Sequence, residues 1–249
     1  MDLLALLIPP EVIQAKTTAI YDAMRKQIRE GNFTLIRTDD LEKLFLLYDQ
    51  FFGGWLSRAV TEKSHLPLAF RLSSTMTRAG GKTITYRRLD QDHRWITRYE
   101  IAIASRMLFM TFRDMSRPVT VCGLVCSDRL QALQRIMEHE IIHLAELLTC
   151  GKSSCKKERF QSLALRIFGH TLSTHDLVTA REHAATNHEI RVGQQVEFEF
   201  DGQRHQGTVN RIHHRATVLV PSDKGQRYSD GKSYSKFYVP LGMLRVVEG

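Results

Sequence analysis

His139-Glu140-Ile141-Ile142-His143 carries residue types and a spacing that could do chemistry. Residues four apart lie on one face of a helix, so His139 and His143 can offer their imidazoles to one metal ion. Glu140, directly after the first histidine, is placed to take a proton from a water at that ion. The chemistry depends on helical spacing, and the flanking sequence predicts a helix from Ser127 to Cys150. Leu130, Leu133, Ile136, Met137, Ile141, Leu144 and Leu148 recur at three- and four-residue intervals. Ser127 or Asp128 can cap its start, and Gly151 is a usual helix stop. The plain alternative is two histidines on a solvated helix face, with Glu140 as a surface charge.

The bulk properties bound what surrounds this stretch. The chain has 249 residues, 43% of them hydrophobic, enough for a sizeable core in one domain or in one domain plus a small module. It contains no apolar run of membrane-spanning length. The apolar run Leu3 to Ile8 lacks a basic segment before it and a small-residue cleavage site after it, and Pro9-Pro10 follows; it reads as a docking segment or a helix start rather than a secretory signal. Four cysteines, Cys122, Cys126, Cys150 and Cys155, are too few for a disulfide framework in a chain this long, and a reducing cytoplasm is the expected compartment. The net charge of +8 permits contact with nucleic acid or another polyanion. From Thr186 onward nine Lys/Arg stand against seven Asp/Glu, so most of the excess lies upstream.

The elements that must position the motif can be read in order. Glu11 to Glu30 is a predicted helix, striped by Val12, Ile13, Ala19, Ile20, Met24 and Ile28, and ends at Gly31-Asn32. A second helix begins near Asp39 or Asp40, carries Leu41, Leu44, Phe45, Tyr48 and Phe52, and stops at Gly53-Gly54. Leu66 to Leu72, Lys82 to Arg87 and Arg98 to Ala104 read as strands, with Ala79-Gly80-Gly81 as a turn or bulge. Ser105 to Phe112 fits a strand end or a short helix, and Val119 to Val125 is a β-branched run leading to the motif helix. A further helix, Cys155 to Phe168, takes Ser153 or Ser154 as its cap and buries Phe160, Leu163, Ala164 and Ile167. His170 and His175 follow in a polar stretch, 172 to 190, that reads as helix or linker.

From Ile190 the pattern changes to short alternating runs with turn signals, Asp201-Gly202 foremost. Five short strands in about 60 residues suggest a small β-barrel of the SH3, Tudor or KOW type. The expected fold is therefore α+β, organised as an N-terminal helical extension (1–38), a domain that carries the His139–His143 motif (39–185) and a barrel module (186–249). Arg204, His205, Arg211, His213, His214, Arg215, Lys232, Tyr234 and Lys236 could give the barrel a basic, aromatic face for nucleic acid; a solvated hairpin surface is the competing reading.

Several of these pieces together resemble the SprT-like metallopeptidase family. Leu44 to Leu56 is similar to its aromatic-rich N-terminal helix, Phe70 to Gly81 to the strand and "AG" turn after it, and Ile101 to Ala104 to its "I.LS" strand. His139-Glu140-Ile141-Ile142-His143 with Phe160 beyond resembles its catalytic core, and the likeness spans about 40 to 176. The resemblance implies a zincin-like domain, Zn2+ held by His139 and His143, and Glu140 as catalytic acid/base. It also implies proteins, DNA-associated ones among them, as substrates, because eukaryotic members cleave proteins crosslinked to DNA. The family's third ligand is usually a histidine four residues before the aromatic, and Lys156 stands there. Cys155, adjacent, is the favoured replacement, since a thiolate is a good zinc ligand. His170, Glu158 and Glu146 compete, each with a harder geometry. The expected function is zinc-dependent endopeptidase; the alternative is a non-catalytic, zinc-stabilised protein that binds DNA or a protein partner.

Overall fold

The motif segment is helical because both of its ends are chemically finished. In the computed structural model, which describes residues 6–112, 117–213 and 215–247, it forms a 22-residue helix, Arg129–Cys150 (α5). Asp128 accepts a hydrogen bond from the Gln131 amide, satisfying a donor that the first helical turn leaves open. Gly151 closes the other end in the left-handed conformation (φ 70°). Between these ends most side chains of α5 are buried, including Glu138, His139, Glu140 and Glu146. A helix buried nearly all round needs partners on every side.

Those partners come from the whole N-terminal unit, which ends at Leu177. Pro10–Ile28 (α1) and Thr38–Asp49 (α2) pack on one flank, with Ile13, Ile20, Met24, Leu41, Leu44 and Tyr48 in the same core as Leu133, Ile136 and Met137 of α5. The segment 1–38 is therefore part of this core over its described residues, not a separate extension, and Gln134 of α5 donates to the Thr17 carbonyl of α1 (3.1 Å). Trp55–Lys63 (α3) follows α2 after a 3₁₀ turn at Gln50–Phe52 and was not foreseen: Asp49 accepts from the Leu56 and Ser57 amides and so starts a new helix just past Gly53-Gly54. Arg129, at the first turn of α5, donates to the carbonyls of Asn32, Phe33, Phe109 and Thr111, tying the helix to two loops.

On the other flank lies a three-stranded sheet of Ala69–Leu72 (β1), Gly81–Leu89 (β2) and Trp95–Ile103 (β3), in the order β1-β3-β2. β1 runs parallel to β3, and β2 pairs with it antiparallel from Gly81↔Ile103 to Leu89↔Trp95. Ser105–Met110 (α4) resolves the ambiguous segment as a short helix. The β-branched run before α5 is a hairpin rather than one strand. Val119–Val121 (β4) and Leu124–Cys126 (β5) are joined by Cys122-Gly123, both at positive φ (55° and 80°), as a two-residue turn of the twist-matching kind requires.

Glu158–Phe168 (α6) begins three residues later than expected, and neither Ser153 nor Ser154 caps it, because the Ser153 hydroxyl is committed elsewhere. The second unit starts at Val178, ahead of the expected boundary after 185, because Ala180–His188 (α7) buries Ala184 against Ile190, Val196 and Val209. Its five strands are Gln195–Phe200 (β6), Gln203–Ile212 (β7), Ala216–Arg227 (β8), Ser233–Val239 (β9) and Arg245–Val246 (β10), an antiparallel sheet in the order β10-β6-β7-β8-β9. Register places Arg204 opposite Glu199 and His205 opposite Phe198, so these neighbours lie on opposite faces of the sheet. His205 stacks on Phe198 and Phe237, whereas Arg204 pairs with Glu197. The proposed basic residues thus do not share one face; His214 falls outside the described residues, as do Leu3, Leu4 and Ala5 of the Leu3–Ile8 run. The chain is mixed α+β, and no helix among the described residues is long and apolar enough to cross a membrane.

Behind the motif, a buried polar cluster fixes α5 to its neighbours. Glu138, fully buried, accepts from Tyr48 Oη (2.7 Å) and Arg135 Nη1 (3.0 Å) and pairs with His170 Nε2 (2.7 Å). Burial pushes the Glu138 carboxyl up, but Arg135, His170 and Tyr48 together hold it below the usual carboxylate range. Such a group contributes stability that is present at neutral pH and lost on acidification. Glu138→Ala strands Arg135 and His170 in the core, at an expected cost of ~3–5 kcal/mol, against ~1 kcal/mol for Tyr48→Phe. Urea unfolding of both variants measures the difference; equal, small effects would show that the cluster does not anchor the helix.

Candidate metal centre

Helical spacing brings the two motif histidines together at one point. His139 Nε2 and His143 Nε2 lie 3.2 Å apart, with their ring planes at 69°. The Phe160 ring packs on both imidazoles, at 4.8 Å from His139 and 4.4 Å from His143 between centroids. α6 supplies that ring and so seats both histidines. Burial holds His139 and His143 neutral, lowering their pKa to about 2 and about 4. Neutral imidazole is the form that binds a metal ion. Two nitrogens facing each other at this separation need a proton or a cation between them.

Cys155 joins them from the loop before α6. One donor atom each of His139, His143 and Cys155 lie within 4.8 Å of one another. Several contacts seat the loop, among them Arg159 Nη2 to the Lys152 carbonyl (3.2 Å), Ser153 Oγ to Glu146 Oε2 (2.5 Å), Lys157 N–H to the Ser154 carbonyl (3.0 Å) and Gln161 Nε2 to the Cys155 carbonyl (3.3 Å). The competing candidates are placed elsewhere. His170 is bound to Glu138 behind the helix. Glu146 is engaged by Arg159 Nε and Ser153 Oγ, each at 2.5 Å. Glu158 is exposed at the start of α6, as is Lys156 just before it.

A second donor group was missed by sequence reasoning. Cys122, His139 and His175 also have donor atoms within 4.8 Å of one another, sharing His139 with the first group. Cys122 Sγ lies 3.7 Å from His139 Nδ1, and burial pushes its thiol pKa up. His175 arrives because the segment 171–176 is laid along the β4–β5 hairpin. Cys122 N–H donates to the Thr174 carbonyl, the Thr171 and Leu172 amides donate back to the Cys122 carbonyl, and Val121 bridges His175. Its buried Nε2 has no hydrogen-bond partner. The polar stretch 172–190 offered no periodic pattern that would have pointed His175 inward, and Cys122 showed only a spacing to Cys126.

Glu140 lies beside the histidine pair and is 2% exposed. Burial raises its pKa to about 7, against hydrogen bonds from Thr83 that pull it down. Thr83 Oγ1 reaches both Glu140 Oε2 (2.8 Å) and its carbonyl (3.0 Å). Two glycines let β2 come this close. A Cβ on Gly81 would meet Glu140 Oε1 at 2.6 Å and its Cγ at 2.8 Å, and one on Gly80 would meet His175 Nδ1 at 2.6 Å. The sequence marked Gly80-Gly81 as a turn; the structure makes the pair a close approach. Around these groups a cavity of about 510 Å³ opens to solvent, with Arg78, Lys82, Ser153 and Thr174 also on its walls. It therefore holds metal-binding donors, a carboxylate able to gain or lose a proton near neutral pH, and room for a ligand.

The shifted groups make stability of the metal-free protein depend on pH. His139, His143 and His175, the last also lowered to about 4, contribute stability that is lost as pH falls from the ordinary histidine value toward their folded values. Glu140 works the other way: its contribution is full below the ordinary carboxylate pKa and is lost as pH rises through about 7. Three histidines outweigh one carboxylate, so around pH 5.5 unfolding takes up about two protons, an upper limit of ~3 kcal/mol per pH unit. Unfolding midpoints measured in chelator should fall between pH 6.5 and 4.5, roughly the ordinary histidine and carboxylate values; a rise over that range would mean the histidines are not buried neutral. Scans of the chain against protein-family models, curated proteins and solved structures return no match.

Proposed function

We propose that the chain is a zinc-dependent endopeptidase with a zincin-like domain of the SprT-like kind. The observation that carries this reading is the His139–His143 nitrogen pair with Glu140 buried beside it on the same helix. Tetrahedral zinc with bonds of about 2.0–2.1 Å separates two ligand nitrogens by about 3.3 Å, close to the 3.2 Å here. His139, His143 and Cys155 would hold the ion. Zinc bound there supplies a Lewis acid that acidifies water and polarises a carbonyl.

The protein's own residues do the rest. Glu140 accepts a proton from water in the cavity at the start of the reaction and delivers it to the leaving amine at the end. In the metal-free protein burial raises this carboxyl's pKa to about 7, so its surroundings favour holding the proton between the two steps. Thr83 holds that carboxylate at Oε2, and Gly81 leaves the space it occupies. The reading places the chain in a reducing cytoplasm, where all four cysteines stay out of disulfides, and takes proteins, DNA-associated ones among them, as substrates. The second unit, as an SH3- or KOW-like module, would serve in recruitment.

His175 favours a second reading. His175 and Cys122 each bring a donor atom within 4.8 Å of His139 as well, and a centre closed by four protein donors would be structural, with the chain acting as a binding protein. X-ray absorption of the zinc-loaded protein separates the two. Three protein donors with one light oxygen fit the enzyme, and four protein donors end it.

Glu140→Gln should retain zinc and lower peptide cleavage by about 10²–10⁴-fold. Wild-type turnover in that variant would remove the role given to Glu140. Gly81→Ala should also keep zinc, since it displaces the carboxylate and not the imidazoles, while cutting turnover by at least ~10-fold on the scale of a misplaced base. Cobalt substitution tests the third ligand: a sulfur-to-metal charge-transfer band that vanishes in Cys155→Ser assigns it, and an unchanged spectrum excludes it.

A further inference from the structure

A serine, a glutamate and an arginine stand behind His143 in a chain of short contacts. Glu146, 2% exposed, accepts from Arg159 Nε at Oε1 (2.5 Å) and from Ser153 Oγ at Oε2 (2.5 Å). Ser153 Oγ lies 2.6 Å from His143 Nδ1. The direction of each bond follows from a count of protons. A carboxylate paired with a guanidinium has no proton to give. A serine hydroxyl has one, and Glu146 takes it. Ser153 Oγ can then only accept at its contact with His143, so the proton between them must belong to Nδ1. His143 is left with a bare lone pair on Nε2, the nitrogen that faces His139 Nε2 at 3.2 Å.

We propose that Ser153 is a positioning residue that fixes His143 as the Nδ1–H tautomer and turns its Nε2 toward the metal, with Arg159 and Glu146 setting the direction of the serine proton. Metal-ligating histidines commonly donate their second nitrogen to a carboxylate; here a hydroxyl stands between the two and passes on the same polarity. The arrangement also explains why Glu146, one turn beyond His143, is no ligand: it acts on the centre through Ser153. The same loop carries Cys155 two residues further on, so one set of contacts holds the ring and seats the thiol. His139 has a softer backing, the Cys122 sulfur at 3.7 Å. The two ligands are therefore unequal, and His143 is the one whose orientation the polar contacts determine.

The inference rests on the metal-centre part of the reading above and not on peptide hydrolysis. The test reads the tautomer in the metal-free protein, by ring nitrogen–proton couplings of ¹⁵N-labelled histidines at neutral pH, and zinc affinity by chelator competition. Wild type should show His143 protonated at Nδ1. Ser153→Ala should populate the Nε2–H form and weaken zinc binding about 10–100-fold, the range seen when such outer contacts are removed. Ser153→Thr, which keeps the hydroxyl, should restore both. Unfolding midpoints of the two variants show whether each is folded. His143 protonated at Nε2 in the wild type overturns the proposal, and so does a Ser153→Ala protein with weaker zinc binding but an unchanged tautomer. A protein that passes these measurements and cleaves no peptide would defeat the endopeptidase reading alone.

Discussion

Burying two uncharged imidazoles nose to nose is the constraint on which the rest of this unit depends. Either ring alone could turn to water. Together, on one face of a helix, His139 is buried and His143 half-buried against Phe160, and that burial leaves both neutral. The surrounding elements exist to hold that arrangement. α6 brings Phe160 over both rings, the loop before it brings Cys155, the segment laid along the β4–β5 hairpin brings His175, and β2 brings Thr83 to the Glu140 carboxylate.

α5 does this while also serving as the core of the unit, and the two tasks divide its faces. Glu138 points back into the cluster of Tyr48, Arg135 and His170, while His139 and Glu140, the next two residues, look toward the cavity. Charge on the buried side is compensated within the fold, so it is removed from the chemistry. On the open side the two facing Nε2 atoms have only each other, although Ser153 and Cys122 stand at the Nδ1 atoms. The two sides of the helix thus differ in whether the fold itself supplies the compensating charge.

Much of this was legible in the sequence where periodicity and caps act locally. The motif helix, its Asp128 cap and its Gly151 stop were readable because each depends on a few neighbouring residues. The two alternating runs around Tyr86 and Tyr99 gave the paired strands for the same reason. What escaped depends on residues brought together from afar. His175 and Cys122 meet His139 only because one loop is pinned to one turn. Ser153 looked like a helix cap because its local pattern fits one, and its actual partners are a glutamate seven residues back and a histidine ten back. α3 was hidden by the Gly53-Gly54 pair, which ends one helix but leaves room for Asp49 to begin another.

The glycine pair at 80 and 81 has a consequence for how such a chain can vary. At most positions near a cavity a small residue can be exchanged for a slightly larger one, and drift proceeds by single atoms. Here even one carbon collides, on one side with the carboxylate stem and on the other with an imidazole. Positions 80 and 81 therefore have no conservative neighbours in sequence space. Any larger residue at either position must push one of these side chains aside, so the packing of the histidines and the glutamate constrains two positions about sixty residues away from the motif they serve.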